Sequence, residues 1–89
     1  MANHKSAEKR NRQRITRTLR ARSLRTRVRT SIKKARAAVD GGDTTAATPL
    51  VRDACALLDR AASKNVLPKK RASRLKSRLT LALNKIATA

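Results

Sequence analysis

Two kinds of chemistry draw on the reactive side chains of this sequence, and they are unequally supplied. Covalent catalysis needs a nucleophile beside a base. The candidates are one cysteine, Cys55, one histidine, His4, and five acids. His4 is expected to be exposed or close to a phosphate. Cys55 falls at the edge of an apolar stripe near Asp59, a setting that does not activate a thiol, so it is expected to be a small core side chain. The acids show no paired spacing, one cysteine provides no cluster of metal ligands, and the only two glycines share a single turn rather than a phosphate loop. No enzyme activity, metal, cofactor or small-molecule substrate is expected.

Anion binding is supplied in excess. The balance is 24 Lys and Arg against 5 Asp and Glu, a net charge of +19 over 89 residues. Arg outnumbers Lys 15 to 9, and a guanidinium pairs bidentately with phosphate. Fourteen basic residues and one acid precede Asp40, a net +13. The candidate phosphate contacts there are Lys5, Lys9, Arg10, Arg12, Arg14, Arg17, Arg20, Arg22, Arg25, Arg29, Lys33, Lys34 and Arg36. A second group follows: Lys64, Lys69, Lys70, Arg71, Arg74, Lys76 and Arg78. There is no Phe, Tyr or Trp, so bases cannot be stacked as single-strand binders stack them. Structured RNA, read through its backbone, fits best. A histone-like DNA-compacting protein is the alternative, since net charge does not separate the two and no helix-turn-helix or zinc module is visible.

Other classes fall away. A lone cysteine forms no internal disulfide. The longest run without charge, Thr44 to Val51, is far short of a membrane span. No apolar segment follows the first Lys as in a secretory signal. The Arg-rich start resembles a transit peptide in composition, but residues 40–89 still carry 10 basic against 4 acidic groups. A cationic helix lying on a membrane would want interfacial Trp or Phe, which are missing.

Such side chains need rigid elements behind them, and the pattern supplies helices. Asp40-Gly41-Gly42-Asp43 is a turn, with a glycine in the left-handed position and Asp43 as the next N-cap. Asn65 suits a left-handed position, and Pro68 suits the first turn of a new helix. The expected helices are about 6–39, 44–63 and 68–87. Ser6 is the expected first N-cap, with Glu8 in the first turn. In the first helix Ala21, Leu24, Val28, Ile32, Ala35 and Val39 form one stripe, whereas Ile15 and Leu19 lie opposite it. Its N-terminal half is charged on several faces, which predicts either a disordered basic tail or a helix that forms in a nucleic-acid groove. The second helix carries Leu50, Val51, Ala54, Leu57, Leu58 and Ala61; Pro49 is awkward in it, and a start at Thr48 is the alternative. It is the least basic, so Arg52 and Arg60 are expected to face away from the partner. The third carries Ala72, Leu75, Leu79, Ala82, Leu83 and Ile86. Alternation of Leu79, Leu81 and Leu83 hints at a strand, but nothing is available to pair with it.

Three stripes and short links predict one all-α domain, an antiparallel three-helix bundle. A first helix of roughly 50 Å against partners of about 30 Å leaves about 20 Å overhanging. The core is small, because 16 of 35 hydrophobic residues are Ala. A chain this short buries only about 60–65% of its unfolded surface. A polyanion is the natural source of further stabilisation.

The opening Met1-Ala2-Asn3-His4-Lys5-Ser6-Ala7-Glu8-Lys9-Arg10 resembles that of the bacterial small-subunit ribosomal protein S-twenty family. The likeness continues at Arg29 to Lys34, Gly42-Asp43, Asp59 to Lys64, Lys69 to Leu79 and Asn84-Lys85-Ile86. It implies a three-helix, cytoplasmic protein of the small ribosomal subunit that binds small-subunit rRNA directly. It implies contact with the RNA's 5′ domain and the base of the long penultimate helix near the 3′ end, beside other subunit components. Carried onto matching positions, it singles out Lys5, Lys9, Arg10, Arg29, Lys33, Lys34, Lys64, Lys69, Lys70, Arg74 and Lys76. Asn65 stands where the family usually has Gly, Leu67-Pro68 where an apolar residue and His are common, and Pro49 lies outside the pattern.

Overall fold

The computed structural model describes residues 2–88. Three α-helices follow one another: α1 (Ala2–Asp40), α2 (Thr44–Ser63) and α3 (Lys69–Thr88). The described residues contain no strand, and Leu79, Leu81 and Leu83 lie within α3. α1 starts earlier than expected. Ser6 is inside it rather than capping it, and the first turn holds no acid. No Gly or Pro precedes Ser6 to stop the helix. Glu8 instead lies one turn past His4, with Oε1 3.2 Å from the imidazole Nε2.

Each break has a local cause. Gly42 takes the left-handed region (φ 76°), and its N–H donates to the Val39 carbonyl at 2.9 Å. Asp43 then caps α2: its Oδ1 accepts from the N–H groups of Thr45 and Ala46 at 3.1 and 3.4 Å. With that cap in place α2 begins at Thr44, and Pro49 sits inside it. The carbonyl that Pro49 leaves without a donor belongs to Thr45, which is exposed. α2 closes in a Schellman motif. Asn65 is left-handed (φ 58°), its N–H reaches Ala62 and that of Val66 reaches Ala61 at 2.9 Å. Pro68 precedes α3 rather than lying in its first turn; its carbonyl accepts the first helical bond, from Ala72.

α2 packs against both neighbours, while α1 and α3 touch least. The core is Leu24, Val28, Ala35 and Val39 of α1, Ala47, Val51, Ala54, Leu58 and Ala61 of α2, and Ala72 and Leu79 of α3. Leu58 is the one large side chain wholly enclosed among the described residues. Cys55 is half-buried against this cluster. The molecule measures 68 × 20 × 13 Å. α1 is 39 residues long and α2 is 20, so about 30 Å of α1 projects beyond its partner.

Candidate nucleic-acid interface

The charge pattern of the surface follows from which helix faces find a partner. Every described arginine is exposed. Among the described residues none forms an ion pair, since the two acid–base contacts are His4 with Glu8 and Lys76 with Asp59. The acids are too few and too far away to neutralise the guanidinium groups internally. Their charge is therefore available to an external anion.

The projecting part of α1 is charged most evenly. From His4 to Arg20 every residue is exposed. On the wheel, the core stripe of Val39, Ala35, Val28, Leu24 and Ala21 continues toward the N-terminus as Arg17, Arg14 and Arg10. Guanidinium groups thus stand where packing side chains would be. Ile15 and Leu19 lie on the opposite side, 52% and 59% exposed. The backbone is helical throughout, so the disordered-tail alternative does not describe it.

Further along, α1 meets the turn that ends α2. Arg17, Arg20, Arg25 and Arg27 of α1 and Arg60 and Lys64 of α2's end surround a concave space of about 690 Å³. Arg27 was absent from the expected contacts, and Arg60 was expected to face away with Arg52. Both positions have a physical explanation. The last turn of α2 lies against α1, so Arg60 lines this space although α2 as a whole is neutral. Arg27 falls beside Leu24 on the helix rather than on the side holding Arg22, Arg25 and Arg29. The proximity of Arg60 to α1 could not be read from either helix alone.

On the other side of α1, Arg29, Lys33 and Arg36 share a cleft with Arg71 of α3 and the acidic Asp40. Lys34 and Arg27 line a third cleft, opposite Asp53 of α2. Lys70, Arg74 and Arg78 are exposed on the outward side of α3. Lys64 and Lys69 flank the turn between α2 and α3 and are exposed. Arg12 and Arg22 occupy the back of α1, on the side of Ile15 and Leu19.

Lys76 is set apart. Its Nζ donates to Asp59 Oδ1 at 2.8 Å, linking α3 to α2. That hydrogen bond holds its pKa above the ordinary lysine value; desolvation opposes the shift, and the negative charge of Asp59 adds to it. Of the expected contacts, this one is already engaged within the fold.

A family model described as ribosomal protein S20 matches residues 2–84. The chain belongs to the ribosomal protein S20 family. It is 58% identical to the small ribosomal subunit protein bS20 of Sorangium cellulosum, across 100% of this chain and 94% of that protein. It is 48% identical to the protein of the same description in Maridesulfovibrio salexigens, across 98% of this chain and 100% of that one. Against the Roseiflexus counterpart it is 53% identical, with 89% and 86% covered. The S20-family match spans the projecting rod and the bundle alike, and every cation-lined cleft described above falls within it.

Proposed function

We propose that this protein is a structural component of the bacterial small ribosomal subunit, that it binds small-subunit rRNA directly through phosphates, and that it stabilises the RNA's fold during assembly. The observation that carries this reading is the projecting rod: exposed guanidinium groups replace the core stripe, and no carboxylate among the described residues pairs with them. Where RNA helices converge, phosphates repel. A rod bearing cations on all sides screens several backbones at once and favours the converged packing by mass action. The relatives named as small ribosomal subunit proteins support the assignment, and with it a cytoplasmic location in the ribosome. Family membership supports an architectural role rather than a catalytic one.

The finer partner assignment rests on the resemblance. The rod reaches the 5′ domain and the base of the long penultimate helix, with the bundle alongside. The candidate contacts are the basic residues of α1 together with Lys64, Lys69, Lys70, Arg71, Arg74 and Arg78. Lys76 belongs with them and would exchange Asp59 for a phosphate on binding. The absence of aromatic side chains favours duplexed and folded RNA over single strands. DNA compaction is disfavoured by the family match.

Sedimentation of a cell extract tests this. The protein is expected to co-migrate with small subunits and to leave that fraction after RNase treatment. Migration with nucleoid DNA, or insensitivity to RNase, would refute the reading. Affinity for rRNA is also expected to fall about a thousandfold or more between roughly 50 and 200 mM salt.

A further inference from the structure

The corner where α1 leaves the bundle differs from the other basic hollows in the number of cations it gathers. Arg17, Arg20, Arg25, Arg27, Arg60 and Lys64 line it, and no acid does. One cleft beside α3 contains Asp40, and the one facing α2 contains Asp53; the other hollows without an acid hold fewer cations, Arg10 and Arg14 on the rod and Arg25, Arg29 and Arg71 beside α3. On a convex rod each cation addresses one strand and leaves its neighbour to solvent. In a hollow, cations from two helices converge on a shared volume, where their mutual repulsion is largest unless an anion occupies it. The six come from two separate elements. α1 supplies four along one wall, and the end of α2 supplies Arg60 and Lys64 on the other. Leu24 lies within the core, and Asn65 is held in its left-handed conformation by the Schellman closure, so Arg25, Arg27, Arg60 and Lys64 stand on anchored backbone, while Arg17 and Arg20 extend from the projecting helix. The space of about 690 Å³ holds more than one phosphate group. It suits the backbone of a strand that turns sharply or two strands that approach closely.

We propose that this hollow is a distinct RNA site, which grips the phosphates of a sharply bent or converging backbone with cations drawn from two helices, Arg27 from α1 and Arg60 from α2 among them. This inference rests on the rRNA-binding reading above. It makes the hollow a shape-selective site, whereas the exposed rod is a general electrostatic one.

The test uses the full chain and two probes: a small-subunit rRNA transcript and a straight RNA duplex. Arg27→Gln with Arg60→Gln is compared with Arg52→Gln with Lys85→Gln, which removes equal charge from exposed positions outside the hollow. Circular dichroism confirms equal helix content. The first pair is expected to weaken rRNA binding about a hundredfold and to lower the slope of log affinity against log salt by about 1.5; the second pair is expected to cost less than about threefold. Neither pair should separate from the other on the straight duplex. Equal losses by the two pairs on rRNA would overturn the proposal, and so would an equal loss by the first pair on both probes. Failure of the unmodified protein to bind rRNA would instead remove the functional reading on which the proposal depends.

Discussion

Leu19 and Leu24 stand little more than a turn apart on α1, yet they occupy different solvents. Leu24 is 7% exposed and packs into the core; Leu19 is 59% exposed among arginines. One continuous helix thus serves two ends. Its C-terminal half is held by burial against α2 and α3. Its N-terminal half has only its own hydrogen bonds, such as those of Thr16 and Thr18 hydroxyls to the carbonyls of Arg12 and Arg14. Like charges a turn apart, as at Arg10 and Arg14, push against it. The contrast teaches that helicity and stability are separable here. The rod is one unbroken helix because nothing in its sequence breaks it, and it is weakly held because nothing packs on it.

That contrast can be broken at several points. The largest effect is expected on binding. Changing Arg10, Arg12, Arg14 and Arg17 to Gln should reduce rRNA affinity by about two orders of magnitude or more in filter binding, while the thermal midpoint of the bundle stays in place. A fall in midpoint comparable to that of a core variant would show that the rod packs on the body after all. Next is a matched pair on stability. Leu24→Ala should cost about 2–3 kcal/mol in urea unfolding, and Leu19→Ala no more than about 0.5 kcal/mol; similar costs would abolish the distinction between the two halves. At the hinge between α1 and α2, Gly42→Ala should cost about 1 kcal/mol through its left-handed φ. Gly41→Ala should cost little, because an added methyl there meets only ordinary contacts at 3.5 Å.

Amide exchange gives a finer comparison. Residues of the rod should exchange much faster than Leu24 to Val39, and slow when rRNA is added; uniform protection before RNA is present would contradict the weak-rod picture. The smallest effect concerns pH. The folded-state pKa of Lys76 is raised by Asp59. Its contribution is therefore fully present below the unfolded lysine value of about 10.4 and is lost as pH rises through the higher folded value. Asp59→Asn should leave midpoints between pH 6 and 8 shifted by a constant small amount, and that shift should shrink only in strong alkali.

Much of this architecture was legible because its signals are local. Gly42 and Asn65 mark their turns by the left-handed conformation they tolerate, and Asp43 marks the start of α2 by its capping oxygen. The stripe from Leu24 to Val39 repeats at the helical period, and the rod announces itself by lacking one. Other features depend on what comes near what. Ser6 and Glu8 carry a start signal that went unused, because a helix with no breaker ahead of it continues to Ala2. Ala47 extends the α2 stripe by one turn and is wholly buried, a residue small enough to be overlooked beside Leu50 and Val51.

Charge, periodicity and punctuation along the chain therefore determined a helical, phosphate-seeking protein with an overlong first helix, since those properties belong to residues and their neighbours in sequence. Only the packing of α2 across α1 decided that Arg60 joins Arg17 and Arg27 around one hollow, and that Lys76 turns to Asp59. The reason is physical: a basic side chain is exposed by default and carries no local preference for direction, so its neighbours across space are set by how the apolar faces behind it come together.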